Sequence, residues 1–112
     1  MRDRTEDFAL TVIRIFSALP KSPVAQVLGK QGLRSGTSVG ANYREASRAQ
    51  SKAEFISKIG DCLKEIEETE YWLGLLVKSG TLKGEQVDGL LDETNQLIAI
   101  FTAIHKKAKE RQ

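Results

Sequence analysis

The sequence predicts an all-α protein, a single antiparallel up-down four-helix bundle spanning residues 1–112. Three observations carry that expectation. Apolar residues recur at threes and fours along most of the chain, and no stretch alternates in the two-residue period of a strand. Proline occurs only at positions 20 and 23, within one break. The helical runs are long and the breaks between them are a few residues each, so successive helices must fold back antiparallel.

The first helix carries Phe8, Val12, Ile15, Phe16 and Leu19 on one stripe, and Leu19-Pro20-Lys21-Ser22-Pro23 ends it. Ser22 is expected to cap the second helix by accepting from a free backbone N–H, and Pro23 suits its first position, where a donor would have no partner. The third helix is expected to open after Arg48-Ala49-Gln50. Ser51-Lys52-Ala53-Glu54 then reads as a capping box opening the third helix. Its stripe is Phe55, Ile59, Cys62, Leu63, Ile66, Leu73, Leu76 and Val77, and Lys78-Ser79-Gly80 closes it, with Gly80 as a left-handed terminator. The fourth helix runs from near Lys83 to Lys109 with Val87, Leu90, Leu91, Thr94, Leu97, Ile98, Phe101, Ile104 and Ala108 inward. Lys106, Lys107 and Lys109 suit the negative end of its dipole. Helices two to four are each about 27 residues, roughly 40 Å long. The first is nearer to about 15 residues, so one side of the bundle is expected to be thinly covered.

Composition agrees with this class. Apolar residues make up 40% and charged residues 29% of the 112, and a chain of that size buries roughly two-thirds of its unfolded surface without help from disulfides. Cys62 is the only cysteine, which fits a reducing cytoplasm. No apolar run approaches the ~18–20 residues of a membrane span. The opening Met-Arg-Asp-Arg-Thr-Glu-Asp lacks the basic-then-apolar order of a signal peptide. The expected location is therefore cytoplasmic, with no membrane partner. The net charge of +2 hides an asymmetry: residues 1–50 hold eight Lys/Arg against four Asp/Glu, and residues 51–112 hold nine against eleven. Pairing between neighbouring helices or subunits accounts for such a split as readily as a ligand does.

The second helix breaks the propensity rules. Gly29, Gly32, Gly36 and Gly40 lie inside it, each costing ~0.8–1 kcal/mol relative to alanine. The total, roughly 3–4 kcal/mol, is a large share of a typical domain stability, so something must offset it. At about 100° per residue the four glycines share one face with Ala25, Leu28, Val39 and Tyr43. That face permits close backbone approach, either inside the bundle or between subunits. Opposite the glycines runs a polar stripe of Arg34, Ser38, Asn42 and Glu45. Lys30, Arg34, Arg44 and Arg48 form an adjoining basic arc roughly 27 Å long. A solvated face and a phosphate-binding surface both fit that arc. Tyr71 and Trp72 lie beside the core stripe of the third helix, where they either cover the thin side of the bundle or meet another subunit.

Catalytic patterns are missing. His105 is the only histidine, and Thr102 stands where a Glu-x-x-His metal motif would need glutamate. One cysteine and one histidine make no zinc site. Cys62 falls on a core stripe, where a thiol is inert. Glu65 and Glu68, one turn apart, suit solvent or arginine better than acid–base work. The glycines follow no strand and form no phosphate loop. The chain is expected to be non-enzymatic, without cofactor or metal.

Arg34-Ser35-Gly36-Thr37-Ser38-Val39-Gly40-Ala41-Asn42-Tyr43-Arg44-Glu45-Ala46 resembles the signature of the bacterial four-helix bundle proteins that include those encoded in 23S ribosomal RNA intervening sequences. Lys52-Ala53-Glu54-Phe55-Ile56-Ser57-Lys58-Ile59 and Leu63-Lys64-Glu65-Ile66-Glu67-Glu68-Thr69-Glu70-Tyr71-Trp72-Leu73 are similar to the third helix of the same family. The resemblance covers nearly the whole chain. It implies an up-down bundle that assembles as a ring, commonly a pentamer, and a related accessory protein of diversity-generating retroelements binds nucleic acid and a reverse transcriptase. Two segments depart from the family pattern. Asp7-Phe8-Ala9-Leu10 replaces a tryptophan-containing start, and Lys83-Gly84-Glu85 stands where a serine cap is usual. Carried over from the resemblance, Arg34, Ser38, Asn42 and Glu45 are expected to serve polar packing or subunit contact.

Two functions remain in view. One is a homo-oligomeric scaffold binding RNA or DNA through Lys30, Arg34, Arg44, Arg48, Lys52 and Lys58. The other is a protein–protein adaptor, without nucleic acid, that uses Tyr71 and Trp72.

Overall fold

A computed structural model describes residues 1–111. It contains four helices, α1 (Arg2–Ser17), α2 (Pro23–Ser47), α3 (Lys52–Lys78) and α4 (Gly84–Glu110). Sequential helices pack against each other in up-down order, and α1 also touches α4 to close the bundle. The α2–α3 contact is the most extensive and the α1–α4 contact the slightest. That weakness follows from length, since α1 has 16 residues against 27 in α4. A hollow of about 390 Å³ between Phe8, Thr11, Ile15, Gln86, Leu90 and Glu93 marks the thinly covered side. The molecule measures 47 × 21 × 19 Å. Among the described residues, no helix is long and apolar enough to cross a membrane.

The breaks are built largely as their residue types dictate. Ser22 Oγ accepts from Ala25 N–H at 3.2 Å, with Pro23 at the first helical position. Ser51 Oγ accepts from Glu54 N–H at 3.1 Å. The return bond of that box reaches one residue further than expected, because Glu54 Oε2 accepts from Gln50 N–H at 3.0 Å. α2 stops at Ser47, where the N–H groups of Arg48 and Ala49 bond three residues back to the Glu45 and Ala46 carbonyls, and Arg48 to Gln50 belong to the turn. Gly80 takes φ +78°, the left-handed conformation that favours glycine. α4 starts without a serine cap, and Gln86 supplies the missing partner by accepting from Lys83 N–H at 2.7 Å.

The core runs the length of the bundle. Val12, Val39, Ile59, Ile66, Leu73 and Leu97 are fully buried. One polar pair sits among them: Thr69 Oγ1 donates to Ser35 Oγ at 2.8 Å, and Ser35 Oγ donates to the Gly32 carbonyl at 3.3 Å. Both hydroxyls are buried and satisfied, so they fix the α2–α3 register without a desolvation penalty.

The glycine face of α2 is turned to α1. A β-carbon at Gly36 would stand 2.9 Å from the Val12 side chain, and one at Gly40 would stand 3.3 Å from Thr5 Oγ1. The glycine stripe thus serves close packing inside the bundle. What offsets its cost is the depth to which Val12 and Phe16 sink into α2, leaving them 0% and 7% exposed.

Candidate nucleic-acid interface

α2 has three working faces. Its glycines meet α1, its polar stripe meets α3, and its basic arc looks outward. The polar stripe is braced by charge: Arg34 donates to Glu65 Oε2 at 3.0 Å and to Glu68 Oε2 at 2.7 Å. The hydrogen bond to Glu68 is the largest of the effects that hold the Arg34 guanidinium above its ordinary pKa. Glu45 closes the same seam lower down, accepting from Lys58 Nζ at 3.0 Å and raising that ammonium's pKa. Ser38 Oγ bonds back to the Arg34 carbonyl at 2.6 Å. Asn42 is half-buried on this side.

The six candidate cations therefore divide. Arg34 and Lys58 are engaged with α3 acids or with Glu45, as just described. Arg44 donates to Glu6 Oε2 on α1 at 3.0 Å, and Lys52 Nζ donates to the Arg111 carbonyl. Lys30 and Arg48 are exposed and have no ion-pair partner among the described residues. Arg44 remains half-exposed in its pair, so its second edge is open to solvent. The turn between α2 and α3 gathers Arg44, Arg48 and Lys58 around a hollow of about 300 Å³, where Glu45 and Glu54 offset part of their charge. Lys30 lies well away, roughly 21 Å up α2 from Arg44.

The sequence reading missed two cations, Arg2 and Lys21. They enter because Arg2, carried on α1, borders one hollow with Arg44, and Lys21, in the turn between α1 and α2, borders another with Lys30. Arg2, Glu6, Ala9 and Ile13 follow a helical period next to the core stripe, a signal that places them on one flank of α1 without saying which helix that flank meets.

Two further features bear on partners. Tyr71 is 59% exposed and meets Trp72 edge-on, with ring centroids 5.1 Å apart. Trp72 Nε1 is buried and has no acceptor among the described residues. Cys62 is fully buried. Burial first, then the charge of Asp61, pushes its thiol up to about 12, so no reactive thiolate forms there.

The model of the 23S rRNA-intervening sequence proteins matches residues 1–103. The chain belongs to that family. Among solved structures, it is similar to a protein of unknown function from the S23 ribosomal protein family of Bacteroides thetaiotaomicron VPI-5482. The two share 39% identity over 94% of this chain and 97% of the other, with a TM-score of 0.87. No curated protein matches. Membership in the intervening-sequence family accounts for the four-helix architecture and leaves the chemistry to this chain's own surface.

Proposed function

We propose that this intervening-sequence family protein is a non-enzymatic, self-associating scaffold that binds RNA or DNA through the outward cations of α2 and the α2–α3 turn. The carrying observation is that Lys30 and Arg48 stand exposed with no acidic partner among the described residues, and Arg44 keeps an open edge beside Arg48. Phosphate neutralisation needs cations that are not already satisfied. Self-association would repeat the arc around one particle and raise its avidity without new contacts. The test is light-scattering mass determination followed by RNA and DNA binding titrated with salt. Retention that falls steeply with salt, and that is lost in Arg44→Glu/Arg48→Glu, supports the reading; no retention at low salt overturns it.

Tyr71 favours a second reading, a protein-binding adaptor. Its ring is 59% exposed and braced edge-on by Trp72, and exposed aromatics are enriched where proteins meet. Under this reading Tyr71→Ala weakens assembly or partner capture and leaves nucleic-acid retention unchanged.

A further inference from the structure

The seam between α1 and α2 is closed at its base by the glycine packing, yet it stays open as a groove on the outer surface. Two hollows lie along it. One, of about 260 Å³, is bordered by Arg2, Glu6, Ala9, Thr37 and Arg44. The other, of about 250 Å³, is bordered by Ser17, Lys21, Gln26, Lys30 and Leu33. Gly40 lines the first and Gly29 the second, which sets the hollows roughly 16 Å apart along α2.

Between the hollows the rim turns apolar. Val12 faces Gly36 and Phe16 faces Gly32. Ile13 and Leu33 each follow one of those contact positions by a single residue, about 100° further round toward solvent. They are 41% and 38% exposed, and Leu10, a turn back on α1, is 51% exposed. The charged residues bordering the two hollows are four cations and one acid, and that acid, Glu6, is already bonded to Arg44. Cations at both ends with an aliphatic stretch between them suit a polyanion that also offers apolar faces.

We infer that the α1–α2 groove is the binding track for a single-stranded nucleic acid, with phosphates on Lys21, Lys30 and Arg44 and unpaired bases lying over Ile13 and Leu33. This rests on the nucleic-acid reading above and narrows it to one groove and one strand form. A duplex keeps its base faces stacked inside and presents only its charged rim, so Ile13 and Leu33 gain nothing from it. A single strand can turn its bases onto them, so that the ring faces and the aliphatic side chains cover each other from water.

The experiment compares labelled oligouridine and oligothymidine of about a dozen nucleotides with a duplex of the same length, by anisotropy between about 50 and 200 mM salt. The single strands are expected to bind at least about tenfold tighter than the duplex. Their affinity should fall with a log–log slope near −2 to −3, as for three or four neutralised phosphates at ~0.7 each. Ile13→Ser/Leu33→Ser changes exposed positions only; it should keep the helical circular dichroism and weaken the single strands about tenfold, the loss of apolar area covered by the bases, without changing duplex binding. Lys21→Glu/Lys30→Glu should weaken the single strands more strongly still. Equal affinity for duplex, together with no effect of the serine pair, overturns the groove while leaving the general nucleic-acid reading standing. Loss of assembly in the serine pair with unchanged strand binding also overturns it, by assigning the groove to a protein neighbour. Failure to retain any probe at the lowest salt removes the reading beneath it.

Discussion

A β-carbon built on Gly32 would stand 2.0 Å from Cε2 of Phe16. The α1–α2 seam closes only because position 32 has no side chain, and the Phe16 ring occupies the space an alanine methyl would take. Val12 stands over Gly36 in the same way, one turn along. The glycines that weaken α2 as an isolated helix are thus what lets α1 dock.

Gly32→Ala is expected to cost roughly 2 kcal/mol, within the range of ordinary overpacking, because the Phe16 ring must give up its seat on position 32. Gly74→Ala is the control. Nothing lies within 4 Å of a β-carbon there, so alanine should stabilise α3 by up to about 1 kcal/mol. Urea denaturation of both variants checks the pair, and equal effects would contradict the account of the seam.

Glu6 holds one edge of Arg44. Glu6→Gln should release that guanidinium for phosphate and tighten nucleic-acid binding about 1.4- to fivefold, the equivalent of the ~0.2–1 kcal/mol an exposed pair is worth. Anisotropy at low salt reads this directly. Unchanged affinity would mean that Arg44 contributes nothing to binding.

Cys62 should be silent to thiol reagents in the native protein. Its thiol is fully buried and titrates only near 12, so at pH 8 almost none is ionised. Labelling by Ellman's reagent should proceed at the rate of global opening and accelerate in parallel with unfolding as urea is added. Fast native labelling would show that α3 opens locally around Cys62.

Glu93 links α4 to α1, and the Arg4 side-chain hydrogen bond holds its carboxyl below the ordinary 4.5. A lowered folded value means that this stabilisation is present above pH 4.5 and is lost as pH falls through the folded pKa. Because α1–α4 is the slightest helix contact, Glu93→Gln should lower the melting temperature at pH 7 and cause a smaller deficit at pH 3, below the unfolded value. Thermal melts of both proteins at the two pH values test the sign. An equal deficit at both would assign the effect to packing.

Much of the architecture was legible locally. Ser22, Pro23, Ser51 and Gly80 each announced a helix boundary through chemistry confined to a few neighbouring residues, and the structure honours each. No capping residue marked the end of α2, which closes at Ser47 as the N–H groups of Arg48 and Ala49 bond to the Glu45 and Ala46 carbonyls. The start of α4 looked uncapped because its cap is a glutamine three residues inside the helix. The three faces of α2 followed from helical period alone; whether its glycine face packs inside the bundle or against another subunit did not, and the α1 side chains seated over Gly32, Gly36 and Gly40 decide it.

Periodicity and capping chemistry by themselves determined four helices, their stripes and their up-down order, since these depend on residues within a turn or two of one another. Tertiary structure decided which charges remain available. Arg34 meets Glu65 and Glu68, Arg44 meets Glu6, and Arg4 meets Glu93. Each pair spans separate helices, and its existence depends on an axial register that side-chain packing sets. The α1–α2 groove exists for the same reason: only when Phe16 seats on Gly32 do Lys21 and Lys30 come to border one hollow and Arg2 and Arg44 another.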